Sequence, residues 1–522
     1  MYVLITLILL VLVIAILAAL RLSRPSSSYA WLAAALGGLL AWISVFFWQL
    51  DMPHRFSPSL WAPGSLFSAS PEFLVDSYAW LYALGLVALA GAVVLTSPAR
   101  ASMVVNPSAW VGSLALTILA LLAVLADNPL TLVLAWTAID LTEFFNTLRS
   151  SDSPGLSERA VVSFSIRLAG TGFALLASVF NASGGKAFLF ENASAQTGIF
   201  LLLAAGLRLG VLPLHLAFRS EPTLRRGFGT TLRLTTAATS LILLARLPFS
   251  TLDAGYIPFL LGFVVLAGFY GGWKWFTAHD ELSGRPYWII GMSALAVAAT
   301  LRGSSAGSAA WGVAMLLFGG ISFLYSARQV WFTRILAGLG LLMLGLPFTL
   351  TASGWEGSFR WPVFFWPVFI LAHLLLVGGY IRHLFQLGEL PFSSLPTWAQ
   401  TAYPSGLGLL VLTAIVSGVW GWPGALQSGV WIVSAISLGA AGLAAVVVWR
   451  FRRFIDPGIF PGSDTRVSRL GSVQEYLAQG LWTIYRLLGR LFGYAANLLE
   501  GDGGLLWTLL LLVLFVTLLL GR

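Results

Sequence analysis

Long apolar runs separated by short polar loops fill the chain. They lie near 1–20, 29–50, 73–97, 108–126, 129–149, 158–181, 197–218, 226–247, 255–276, 286–301, 307–327, 331–352, 361–386, 404–420, 428–450 and 503–520. Each is close to the roughly 20 residues an α-helix needs to cross a bilayer, so the pattern predicts an all-α polytopic membrane protein with about sixteen transmembrane helices. The loops alternate in charge. Arg21 and Arg24 follow the first run, Arg100 the third, and Arg219, Arg225 and Arg226 the seventh, whereas Asp51, Glu72 and Asp127 lie in the loops between. Positive charge gathers on the cytoplasmic side, which places the N-terminus outside. Arg450, Arg452 and Arg453 after the fifteenth run keep the same parity. The first run has neither a basic leader nor a small-residue cleavage site and reads as a retained helix.

The pattern changes after Arg450. Leu470, Val473, Leu477, Leu481, Ile484 and Leu488 recur at steps of three and four, with Arg469, Glu475, Arg486 and Arg490 largely between them. This predicts an amphipathic helix of roughly 30 residues, about 45 Å long, lying along the membrane surface or a neighbouring subunit. Glu500-Gly-Asp-Gly-Gly504 ends it, and the last apolar run follows. The Pro-, Ser- and Trp-rich loop from Asp51 to Glu72 reads as an external interfacial loop without chemistry.

The informative positions are the polar ones inside apolar runs. Gly206-Leu-Arg-Leu-Gly-Val-Leu-Pro-Leu-His215 places Arg208, Pro213 and His215 within a spanning run. Proline removes a backbone donor, and a guanidinium at membrane depth faces a bundle interior or a wet cavity. The stretch therefore reads as a broken helix lining an aqueous path. Pro347, in Gly345-Leu-Pro-Phe-Thr349, predicts a second break in helix twelve. Helix five carries Asp140 and Glu143, three residues apart and so on one face. Two acids at such depth cannot both be comfortably ionised, and one of them holding a proton would suit a relay. The plainer alternative is a hydrated pair at the cytoplasmic end, matched by Arg149 or Arg159. Arg167 in helix six and Arg233 in helix eight add cations nearby, either along a path or as structural ion pairs. Trp273 to Arg285 reads as a polar cytoplasmic turn with His279 solvated. His373, alone in the thirteenth run, is a titrating group near the midplane, or a hydrogen-bonded core histidine.

Composition sharpens this picture. The chain of 522 residues is 58% hydrophobic and 9% charged, with a mean hydropathy of +0.88, a balance that excludes a soluble domain. The formal charge of +9 is scattered through short loops, so it signals topology and anionic lipid rather than nucleic acid. Cysteine is absent, which excludes iron–sulfur and thiolate metal sites in this chain; no cofactor is expected within it. The only lysines are Lys186 and Lys274, both near helix ends or in loops.

Taken in order, these motifs resemble the antiporter-like membrane subunits of respiratory complex I, which are shared with Mrp antiporters and membrane-bound hydrogenases. Gly206 to His215 resembles the family's seventh helix, in which a lysine stands five residues before a proline and a histidine two beyond it. Asn128 to Trp136 resembles the start of its fifth helix, Gly338 to Pro347 its helix-twelve break, and Leu499 to Trp507 the tail of hydrogenase-type members. The predicted amphipathic helix resembles the lateral helix of the largest complex I subunit. The resemblance implies two inverted-repeat bundles and a division into N-terminal helices (1–107), a first half (108–250), a second half (251–403), additional helices (404–450), a lateral segment (451–502) and a terminal anchor (503–522). It also implies other membrane-arm subunits as partners, protons or sodium ions as cargo, and a cytoplasmic membrane. The redox centre would lie in other subunits.

The family's core is a glutamate in helix five, lysines in helices seven and eight, and a lysine or glutamate in the second half. Here the glutamate position is Thr137, with Asp140 one turn on. The helix-seven lysine is Arg208, the helix-eight position falls at about Ala238 with Arg233 nearest, and the helix-eleven position falls near Gly319. Lysine can gain and lose a proton when desolvated, whereas arginine effectively cannot. Proton movement would then fall to Asp140, Glu143, His215 and His373, tuned by Arg208 and Arg233. The same fold kept as a packing subunit with a silenced channel is the main alternative. A polytopic glycosyltransferase using Asp51 or Glu72 and Asp76 with a metal in the first large outer loop is a remoter one, and it requires Asp51, Glu72 or Asp76 to converge on an outer cavity.

Overall fold

The computed structural model describes residues 2–23, 29–57, 70–99, 107–149, 154–182, 188–216, 226–248, 255–356, 365–386 and 390–451. Fifteen α-helices occur among them. The first four are α1 (Tyr2–Ser23), α2 (Tyr29–Phe46), α3 (Ser77–Leu95) and α4 (Pro107–Leu125). Then follow α5 (Pro129–Arg149), α6 (Pro154–Ala182), α7 (Ala195–Leu209), α8 (Arg226–Arg246), α9 (Ile257–Thr277), α10 (Glu281–Leu301) and α11 (Ser305–Leu324). The last are α12 (Val330–Leu339), α13 (Trp366–Leu384), α14 (Thr397–Val419) and α15 (Trp431–Phe451). Ten described helices are long and apolar enough to cross a membrane. The others include α5, whose acids lower its apolarity, and α7, which has only 15 residues. The expected lateral helix at 451–502 and the final run at 503–520 lie outside the described residues.

The bundle is built around α3, α8 and α11, each buried along nearly its whole length. On α3 and α11 nearly all residues are small or apolar, so every face can pack, whereas α8 buries Arg233 and several threonines that find polar partners inside the bundle. At the periphery, α1 exposes Leu4, Ile8, Val11 and Leu12. An apolar outer face with no aqueous counterpart is what a lipid-facing helix presents. Helix–helix contact relies on small residues where the backbones come closest. At Gly271 of α9 an added Cβ would lie 2.6 Å from the Gly291 nitrogen of α10 and 2.9 Å from the Tyr287 carbonyl oxygen. Backbone cannot move aside as a side chain can, so glycine is required there.

Two departures from the sequence pattern concern helix ends. The seventh helix stops at Leu209, four residues before Pro213. Gly210 terminates it in the left-handed conformation (φ +74°), and the amides of Val211 and Leu212 turn back onto the Gly206 carbonyl at 2.9 and 3.1 Å. Glycine adopts this cap without a Cβ penalty, so Gly210 ends the helix and Pro213 lies in the turn beyond. The twelfth helix ends at Leu339, tightens into a 3₁₀ turn at Gly340–Met343 and unwinds before Pro347. Gly345 at φ +71° and Phe348 at φ +62° carry the chain through this irregular stretch.

The tenth helix starts at Glu281, five residues before its apolar run. Asp280 caps it by accepting from the amides of Leu282 and Ser283, and the Ser283 hydroxyl returns to the Asp280 backbone. This reciprocal capping draws Glu281 and Arg285 out of the expected polar turn and onto the helix. His279 remains solvated, with its side chain 88% exposed.

Between α2 and α3 a short antiparallel pair forms, β1 (His54–Phe56) with β2 (Phe73–Val75). The Asp127 amide bonds to the Glu72 carbonyl at 2.9 Å, which ties this pair to the start of α5. Two residues of β3 (Ala327–Arg328) pair in parallel with β4 (Leu390–Pro391) at the other loops. Substituting Gly271→Ala is expected to lower stability by roughly 1–3 kcal/mol through overpacking against α10, read as a fall in the thermal unfolding midpoint of the purified chain.

Candidate functional site: a buried ion-pair cluster joining helices five to eight

Asp140 lies twelve residues into α5, about 16 Å from one helix end and about 14 Å from the other by the helical rise. It is therefore near the middle of its helix. Trp136, Asp140 and Glu143 share one face by their spacing of four and three. On α8, Arg233, Thr236 and Ser240 share another face by the same rule, and α6 brings Arg167, Gly170 and Thr171. α7 contributes Arg208 from its last turn.

These faces close on one another. Arg208 grips Asp140 with two parallel bonds, Nη1 to Oδ2 at 2.5 Å and Nη2 to Oδ1 at 2.9 Å. Its Nη1 also donates to Thr171 Oγ1 at 3.1 Å and to the Arg167 carbonyl at 3.2 Å, and its Nε reaches Ser240 Oγ at 3.4 Å. The guanidinium lies over the Trp136 ring, 4.3 Å from its centroid. Glu143 is held between Arg167 and Arg233, one on each oxygen, and Thr236 Oγ1 approaches it at 3.5 Å. Arg167 also reaches towards Asp140, 3.8 Å away. All five charged side chains are buried, Arg208 completely.

The cluster thus has two carboxylates and three guanidiniums. Each acid faces two cations, so the mutual repulsion expected of an isolated acid pair is offset on the spot. Burying charge costs several kcal/mol per ion, and excellent geometry is needed to repay it. A bidentate arginine–carboxylate pair supplies that geometry. The packing also makes room for it. A Cβ at Gly170 would meet the Arg208 side chain at 2.6 Å and the Ala204 carbonyl at 3.0 Å, so α6 and α7 can approach around the Arg208 stem only with glycine there.

The structure brings together Asp140, Glu143, Arg208 and Arg233. Arg167, read from the sequence as a cation nearby, reaches both acids, and the structure adds Trp136, whose indole bonds to the Thr239 carbonyl at 3.2 Å while its face carries Arg208. Their spacing from Asp140 on α5 and from Thr171 on α6 was the available signal. The side chains of Arg149 and Arg159 lie outside the described residues.

Two of the expected pathway residues lie elsewhere. His215 sits in the turn after α7, where its Nδ1 donates to the Pro213 carbonyl at 2.8 Å. It makes no hydrogen bond to the cluster among the described residues. His373 is fully buried on α13, donates from Nε2 to the Met343 carbonyl at 2.9 Å, and is flanked edge-on by Trp311 and Trp355 at 5.0 and 5.6 Å. That bond ties α13 to the unwound end of α12. The position near Gly319 has no room for a side chain, because an added Cβ would meet Trp288 Nε1 at 2.6 Å. Ala238 is fully buried.

Several acids at the helix ends next to the β1–β2 pair are matched by arginines. Asp76 caps α3 through the Ala79 amide and pairs with Arg246 at 3.1 Å. Asp127 pairs with Arg55 at 2.6 Å. Burial raises the Glu72 carboxyl above its ordinary value, with the Asp127 charge adding to this and Arg55 opposing it. Among the described residues no group of three His, Cys, Asp or Glu side chains is placed to hold a metal ion. The geometry a glycosyltransferase reading requires is therefore not met there.

Together these features describe a polytopic helical membrane bundle with a buried ionic cluster midway along its fifth helix. Neither the protein-family models nor the curated protein sequences give a match. Solved structures do. The chain superposes on one from the membrane-bound sulfane sulfur reductase, an archaeal respiratory membrane complex, with a TM-score of 0.67 at 15% identity, covering 99% of this chain and 100% of that one. A chain of the Mrp complex from Dietzia sp. DQ12-45-1b gives 0.66 at 16% identity, covering 99% of this chain and 62% of the other. A chain of respiratory complex I from Thermus thermophilus gives 0.62 at 18% identity, with 84% and 99% covered. This protein shares the fold of these membrane-complex chains, the fold that the resemblance in its sequence implies.

Replacing Arg208 by Gln leaves Asp140 facing only the more distant Arg167. The expected cost is roughly 3–5 kcal/mol. The double substitution Arg208→Gln with Asp140→Asn should recover much of it, and a double-mutant cycle on thermal or denaturant unfolding measures the difference.

Proposed function

We propose that the chain is a proton- or cation-translocating, antiporter-like subunit of a larger membrane complex, lying in the cytoplasmic membrane with its N-terminus outside. The observation that carries this reading is the five-membered ionic cluster buried midway along α5, at the junction of four helices. Ionisable groups at such depth are costly and are normally retained for a path or a coupling role. The chemistry follows from the side chains. Arginine holds its proton, so Arg167, Arg208 and Arg233 set the field, while Asp140 and Glu143 are the groups that can accept and release one. Arg167 reaches both acids. A shift of this side chain from Glu143 towards Asp140 changes which carboxylate is compensated, and that alternation would drive a proton from one to the other.

The likeness to subunits of multi-subunit membrane complexes supports partner subunits, which would house the driving redox chemistry. The two inverted-repeat halves, 108–250 and 251–403, belong to the same reading. One set of observations favours a second reading, a packing subunit with a silenced channel. Both acids are clamped by arginine, and Trp288 fills the space at Gly319 where a second-half lysine would stand.

Proton flux in liposomes reconstituted with the native complex separates the two. The channel reading expects the double variant Asp140→Asn, Glu143→Gln to drop to the flux of the complex without this subunit. Arg208→Lys, which restores a titratable group, should retain flux. Unchanged flux in the double variant overturns the relay.

A further inference from the structure

The end of the bundle where α8 and α10 begin holds a second polar cluster. Arg226, the first residue of α8, donates from Nη1 to Glu281 Oε1 and to the Phe323 carbonyl, both at 2.8 Å. Arg328 of β3 approaches the same Glu281 oxygen at 3.5 Å. Arg285 lies one turn after Glu281 on the same face of α10 and is 4% exposed. The carboxylate four residues before it would be its natural partner on a helix. That carboxylate is engaged by Arg226 and Arg328 instead.

Arg285 is left in an unusual position. Its Nε and Nη2 are buried and have no hydrogen-bond partner among the described residues. No carboxylate among them lies within ion-pair distance. Its guanidinium stands 5.3 Å from the centroid of the Phe323 ring. Arg233 and Arg226 are the like charges that bear on it most strongly, opposed by Glu281 and Asp280. The positive ends of α8 and α10 add to the same field, since both helices start here. A ring face offsets part of the cost of burying a cation, and arginine cannot relieve the rest by losing its proton. The missing element is a negative charge.

We propose that Arg285 anchors a site for a small, weakly hydrated monovalent anion of the chloride or bromide class, held where α8 and α10 begin. The choice of anion follows from charge and hydration. Phe323 covers one side of the guanidinium. A dianionic phosphate brings more charge than one guanidinium balances. Guanidinium is itself weakly hydrated, which matches it to halides of low hydration. The bound anion would keep α8 and α10 together at the end where Arg226 and Arg285 otherwise repel one another.

The test uses the full chain in lipid nanodiscs at constant ionic strength, with fluoride, chloride or bromide replacing gluconate. The thermal unfolding midpoint of the wild type should rise saturably over the millimolar range, more with bromide than with fluoride. Arg285→Met should not respond. Crystals grown in bromide should show anomalous density within hydrogen-bonding distance of Arg285, which keeps the site testable even if Arg285→Met fails to fold. Three outcomes overturn the proposal: no halide response in the wild type, an equal response in Arg285→Met, or a response confined to molar salt, which marks an adventitious ion only. None of these bears on proton flux through the first cluster.

Discussion

The bidentate contact between Arg208 and Asp140 is the constraint around which the first half of the bundle is arranged. Both side chains are buried midway through an apolar assembly, where neither is tolerable alone. Asp140 fixes α5 and Arg208 fixes the end of α7. The remaining donors of Arg208 then draw in α6 through Thr171 and the Arg167 carbonyl, and α8 through Ser240. Glu143 repeats the arrangement one turn on, between α6 and α8. The polar faces of four helices are therefore fixed together by charge, while small residues and apolar contacts hold the rest. Gly170 and the Trp136 ring are consequences of that pair, one giving space and the other a surface for the guanidinium.

The same pair bears on function. Lysine in this place could shuttle a proton through its own titration, while arginine can only hold a field. In the proposed function the carboxylates are then the groups that exchange the proton, and the arginines set which of them is compensated. Arg167 is shared unequally between the two acids, bonded to Glu143 and 3.8 Å from Asp140, and the proposed function turns on a shift of this side chain between them. A two-arrangement element of this kind is the physical requirement for coupling a distant event to proton movement.

Much of this was readable from the sequence. Apolar runs separated by short loops fixed the positions of the helices. Asp140 and Glu143 could be assigned to one face because helical spacing is local and periodic. The helix ends were less legible. Pro213 and Pro347 mark irregular backbone, but Gly210 ends α7, because a left-handed cap depends on one residue's φ and acts before a proline further on can. Arg285 read as part of a loop because a charged segment before an apolar run looks solvated. The capping of α10 by Asp280 and Ser283 carries it inside. Pairing across helices was not legible either. That Arg167 serves both acids, and that Arg226 takes Glu281 from Arg285, depends on distances between segments far apart in sequence.

An experimental map of the subunit in a lipid nanodisc, at a resolution that shows side chains and ordered water, tests the central claim most directly. The account predicts direct contact of Arg208 with both oxygens of Asp140, and Glu143 between Arg167 and Arg233. Acids standing apart from these arginines, each surrounded by water or paired with other side chains, would contradict it.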